Sequence, residues 1–167
     1  MGDNTKDVKN QVFETIIKKV GIIDLDSLYS SMKKLASNYG YNLTEKEQTR
    51  KVDAGEIILV WNLEKKYDLY TKANINIELK TTKCVEVLVE RKIKKQKRYK
   101  CETLIQISSF LVKNYKQDFN KTSFQNFLRR AYERFIKDKE LKYFEDSLSA
   151  ESVQITNEIK KILEQFV

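Results

Sequence analysis

Histidine is absent from this 167-residue chain. With it go the commonest general base, the usual partner of a serine or cysteine nucleophile, and the commonest zinc ligand. Proline is absent as well, and there are only 4 glycines and 2 cysteines. Cys84 and Cys101 are too few for an all-cysteine zinc site and lie outside any CxxC pair, so no metal is expected. No glycine-rich phosphate loop, GxSxG or HExxH occurs. The carboxylate pairs Asp24/Asp26 and Glu145/Asp146 fall where helix capping or solvation accounts for them. The chain therefore reads as a non-enzyme that needs no cofactor. No run approaches the roughly 18 apolar residues that cross a bilayer. The opening MGDNTKDVKN is polar and has no signal-like apolar centre, so residues 1–10 read as a flexible lead-in. A cytoplasmic protein with no membrane partner is expected.

What the chain has in excess is charge, and that charge is local. The 32 basic and 24 acidic residues leave +8. The segment RKIKKQKRYK holds Arg91, Lys92, Lys94, Lys95, Lys97, Arg98 and Lys100 and no acid, so it supplies +7 and leaves +1 for the other 157 residues. An excess gathered in one segment points to a polyanion site more strongly than the same excess spread evenly. The competing reading is a solvated lysine-rich loop, because 26 lysines and 11 asparagines also fit a biased composition. A second basic group, Arg129, Arg130 and Arg134 with Lys137, is interrupted by Glu133; arginines there could grip phosphate bidentately.

Hydrophobic periodicity gives one α+β domain over residues 1–167. Val12 to Val20 reads as a β-branched first strand. Leu25, Leu28, Tyr29, Met32, Leu35, Ala36 and Tyr39 have helical spacing, with Asp24 or Asp26 as N-cap and Gly40 as stop. The middle alternates: Ile57, Leu59, Trp61 and Leu63, then Ala73, Ile75, Ile77 and Leu79, then Val85, Val87 and Val89, and finally Tyr99, Cys101, Ile105 and Ile107. This is the pattern of an antiparallel meander of five or six strands, buried on one face.

The core parities set Val89 opposite Tyr99, Glu90 opposite Arg98 and Arg91 opposite Lys97. With no Gly, Asn or Asp at the tip, the strands are expected to splay near residues 91–97 unless an anion holds them. By the same parity Cys84 and Cys101 fall on opposite faces, so a disulfide is not expected and both read as structural thiols.

Two helices close the chain. Thr122 or Ser123 caps the first, whose stripe is Phe124, Phe127, Leu128, Ala131, Tyr132, Phe135 and Ile136. In the second, about 25 residues long, Leu141, Leu148, Ile155 and Ile162 recur every seven positions. Both are expected to cover the sheet together with the N-terminal helix, and Tyr143, Phe144 and Phe166 are candidates for a protein interface.

The blocks EIILVWNLEKKYDLYTKANINIEL, FQNFLRRAYERFI and YFEDSLSAESVQITNEIKKIL resemble a family of small uncharacterised archaeal α+β proteins. Trp61, Lys65, Lys66, Asp68, Phe127, Leu128, Arg129, Tyr132, Phe135 and Ile136 carry the resemblance, as do Leu148, Glu158, Ile159 and Lys160. Phe144 departs from the pattern, and RKIKKQK stands where such sequences have a glycine turn. The resemblance runs from about Leu25 onward and implies the fold, but no activity. The expected function is a binding module contacting RNA or DNA backbone through Arg91 to Lys100, with Arg129, Arg130 and Arg134 as a second contact. The alternative is protein assembly through the terminal helix or a sheet edge.

Overall fold

The computed structural model describes residues 8–51, 55–91, 94–116 and 122–164. Along the chain run β1 (Val8–Ile23), α1 (Leu25–Asn38), β2 (Asn42–Lys51), β3 (Glu56–Lys66), β4 (Thr71–Arg91), β5 (Lys94–Lys113), α2 (Ser123–Phe135) and α3 (Asp138–Glu164). The five strands form one antiparallel sheet in the order β1-β5-β4-β3-β2. The α+β class, the single sheet and the placement of one helix before and two after the meander agree with the sequence reading. One strand, β2, was not legible, since NLTEKEQTRK has too few apolar residues to show a buried face.

Alternation decides which face is covered. Ile57, Leu59, Trp61 and Leu63 of β3 stand opposite Thr81, Leu79, Ile77 and Ile75 of β4, and all eight are buried. Ile105 and Ile107 of β5 continue the layer, with Ile17 of β1 opposite Ile105. Two helices close over it. Asp24 caps α1, accepting from Ser27 N at 3.0 Å and Ser27 Oγ at 2.7 Å. The helix ends at Gly40, whose φ of +74° suits a residue without Cβ. Helix α3 lays Leu141, Leu148, Ile155, Ile159 and Leu163 on the same layer. Each such side chain stabilises the fold by about 1.5–3 kcal/mol relative to exposure. Where α3 crosses β5 both chains carry serine. Ser109 and Ser152 are buried with their hydroxyls 2.6 Å apart, and Ser152 donates to the Leu148 carbonyl at 2.6 Å.

Four expectations are corrected. First, β4 is one strand of 21 residues, bent by a bulge: Thr82 faces Glu102 and Val85 faces Lys100, so Lys83 and Cys84 together oppose Cys101. Lys83 takes φ +54° there. A bulge inserts one residue and inverts every later side chain. Val85 is accordingly exposed rather than core.

Second, the inversion brings Cys84 to the face of Cys101, and the two form a disulfide with Cα atoms 4.3 Å apart. Strand parity excludes that bond only in an unbroken ladder, and the shift between Thr82 and Val85 breaks it.

Third, Val89 faces Gln96, Glu90 faces Lys95 and Arg91 faces Lys94. The basic strands stay paired instead of splaying. The turn itself, including Lys92, lies outside the described residues.

Fourth, the stripe of α2 does not cover the sheet. No residue of α2 is buried, and Phe124, Phe127 and Phe135 are 67%, 65% and 79% exposed.

Candidate nucleic-acid interface

Strand pairing defines the candidate site. β3 accompanies β4 only from Lys66 to Ile57, opposite Thr81, and β1 accompanies β5 only as far as Ile23, opposite Tyr99. Among the described residues the β4–β5 hairpin continues alone from Val87 and Arg98 onward, for five residue pairs counting that one, a two-stranded ribbon projecting about 17 Å at 3.4 Å per residue. The cationic run occupies this ribbon and its root. Arg91, Lys94 and Lys95 hold ladder positions near its tip.

Three devices fix the root. The Cys84–Cys101 disulfide joins its two strands. Gly55, at φ +59°, accepts from Cys84 N at 3.0 Å, tying the ribbon to the start of β3. Arg98, only 18% exposed, pairs with Asp24, the N-cap of α1. This arginine therefore faces inward, to a carboxylate that is itself buried.

Two cations beside Arg98 face water. Lys97 and Lys100 are exposed. Lys97 pairs with Glu86 at 2.9 Å, and that hydrogen bond holds its ammonium above the ordinary lysine range. Tyr99 is partly exposed beside them, and the apolar Val85 and Leu88 are exposed opposite Lys100 and Lys97. Cation, aromatic ring and apolar surface thus occur together on a thin, doubly anchored element.

Arg129, Arg130 and Arg134 lie elsewhere. Helix α2 is joined to the end of the sheet where β4 begins: Tyr70 hydroxyl donates to Glu133 Oε1, Lys113 pairs with Glu133 at 3.8 Å, and Lys137 pairs with Asp68 at 2.8 Å. Tyr132 meets the Tyr70 ring edge-on at 5.6 Å. Since Thr71 and Arg91 are the two ends of β4, α2 and the ribbon tip are separated by about 65 Å of strand. The structure does not bring the two basic groups together.

Burial of Asp68 works to raise its pKa, but the Lys137 hydrogen bond and the backbone N–H groups of Tyr70 and Thr71, at 2.8 and 2.6 Å, outweigh it. The carboxyl is held below the usual range.

Elsewhere a part-buried polar cluster ties α3 to the sheet. Glu151 accepts from Tyr41 hydroxyl at 2.6 Å and Lys65 Nζ at 2.8 Å, and the Lys65 ammonium lies 5.2 and 5.6 Å from the Tyr41 and Tyr67 ring centres. Burial, followed by the Glu151 hydrogen bond, pushes the Tyr41 phenol far above its ordinary pKa. Tyr67 stacks on Phe144 at 4.5 Å, so Phe144 belongs to the packing and is not an outer surface. Tyr143 is exposed, and Phe166 lies outside the described residues. Among the described residues no group of three or more acidic or cysteine side chains could hold a metal.

The sequence missed three of these features: the disulfide, the Arg98–Asp24 pair and the orientation of α2. For the disulfide, the sequence signal was the placement of Cys84 and Cys101 on the two strands of one expected hairpin. No protein-family model and no curated protein matches the chain.

Proposed function

We propose that the protein binds nucleic acid, gripping the phosphate backbone with the β4–β5 ribbon. The observation that carries this reading is that the segment holding +7 of the net +8 lies on a ribbon projecting beyond its neighbouring strands. A two-stranded ribbon has the width that the major groove of duplex DNA admits, and lysines along it reach phosphates on either side. Arg91, Lys92, Lys94, Lys95, Lys97 and Lys100 are the contact residues, while Arg98 sets the angle of the ribbon through Asp24. Tyr99 supplies a ring for stacking where strands are unpaired. Arg129, Arg130 and Arg134 take no part in this contact.

The test is binding of labelled duplex DNA, single-stranded DNA and RNA at low salt to the parent chain. The comparison is a variant with Lys92, Lys94, Lys95 and Lys97 changed to serine. The parent should bind, duplex DNA most tightly, and the variant should bind weakly or not at all. Equal binding by the two removes the ribbon from the account.

A further inference from the structure

Helix α2 is amphipathic in the wrong sense for a helix that belongs only to this domain. Its polar side faces the protein, through Glu133 on Tyr70 and Lys113, with Arg129 half-buried. Its apolar side, Phe124, Phe127, Leu128 and Phe135, faces water. Two more apolar side chains are exposed at the same end: Leu69, in the turn between Asp68 and Tyr70, and Tyr143, in the second turn of α3. An apolar patch of this kind on a folded surface marks a contact.

The charges around the stripe select the partner. Arg130 and Arg134 are exposed beside it, and Arg134 lies 5.7 Å from the Phe135 ring centre. Among the described residues neither pairs with a carboxylate. The nearby acids are engaged: Glu133 as above, Glu140 with Lys137, and Asp138 with Lys142. The partner must therefore be both apolar and anionic. A second copy would present the same arginines, with Glu133, Glu140 and Asp138 already engaged, so an isologous contact would gather like charges. A nucleic-acid backbone would satisfy the arginines but leave the phenylalanines in water. The stripe is a single convex ridge, which a protein partner could cover only with a matching groove and a fluid surface covers without one.

We propose that α2 docks on an anionic lipid surface, lying in the interface with Phe124, Phe127, Leu128 and Phe135 among the acyl chains and Arg130 and Arg134 at the headgroups. It lies on the bilayer and does not cross it; among the described residues no helix is long and apolar enough to span one. The inference rests on α2 alone, at the far end of the sheet from the ribbon, and stands or falls separately from the nucleic-acid reading.

Co-sedimentation of the full chain with phosphatidylcholine vesicles, with and without phosphatidylserine, tests it. The parent should bind both and prefer the anionic vesicles. Phe127→Ser with Phe135→Ser should weaken binding to either by about tenfold or more without lowering the melting temperature, since both rings are exposed. Arg130→Ser with Arg134→Ser should remove only the preference for phosphatidylserine. The serine variant of Lys92, Lys94, Lys95 and Lys97 should still bind vesicles. Three results overturn the proposal: no sedimentation of the parent with either vesicle, loss of vesicle binding in the ribbon variant but not in the phenylalanine variant, or a parent dimer that the phenylalanine variant dissociates without any vesicle binding.

Discussion

The amide of Cys84 donates to the carbonyl of Gly55 across 3.0 Å, at the point where the β4–β5 ribbon leaves the rest of the sheet. The approach is close because Gly55 has no side chain: a Cβ there would stand 3.0 Å from both the nitrogen and the oxygen of Cys84. The residue also needs φ +59°, which other residues adopt only at a cost. Gly55→Ala should therefore destabilise the protein by about 1–3 kcal/mol, read by chemical denaturation. Amide exchange should accelerate first in residues 85–100. A variant as stable as the parent would mean that the turn before β3 does not hold the ribbon root.

The disulfide fixes the same root from the other side. Cys84 and Cys101 are 17 positions apart, and a loop of this size contributes about 3 kcal/mol when closed. Cys84→Ser with Cys101→Ser should lower unfolding stability by about that amount while leaving the β1-β5-β4-β3 core intact. It should also weaken nucleic-acid binding by loosening the ribbon. Unchanged stability under reducing and non-reducing conditions alike would show that the bond is not formed in solution.

The contrast between the covered sheet and the ribbon shows how far the sequence carries. Where one face is buried and the other wet, alternation is forced, and the runs from Ile57 to Leu63 and Ala73 to Leu79 gave β3 and the first half of β4 with their correct faces. The heptad spacing of Leu141, Leu148 and Ile155 likewise gave α3 and its core stripe. Beyond Thr82 the same rule failed, because the extra residue at Lys83–Cys84 has no composition of its own. Lysine at φ +54° carries no signature in the sequence, yet it re-registers the seven residue pairs from Val85 to Arg91 and creates the disulfide. The error over α2 was of another kind. Periodicity locates an apolar stripe, and the direction in which that stripe faces is decided by contacts such as Tyr70 with Glu133, whose partners are 63 residues apart.

Asp68 gives a pH signature for the attachment of α2. A carboxyl whose pKa is lower in the folded than in the unfolded state stabilises the fold above the unfolded value, and loses that effect as pH falls through the folded one. With an ordinary value of 3.8, the contribution should be complete at neutral pH and fade below about pH 4. Asp68→Asn should thus cost about 1–2 kcal/mol at pH 7, with the difference from the parent shrinking as denaturation is measured below pH 4. A difference that persists undiminished at pH 2 would place the effect in packing and not in the charge.

Salt dependence of duplex DNA binding reaches the central claim most directly. Each phosphate neutralised by lysine or arginine adds about −0.9 to the slope of log K against log salt concentration. A ribbon making about five contacts should give a slope near −4.5. Changing Lys92, Lys94, Lys95 and Lys97 to serine should make the slope shallower by about 3–4, and changing Arg130 and Arg134 should leave it as it was. A parent slope near zero, or one that follows the α2 arginines instead of the ribbon lysines, would contradict the account.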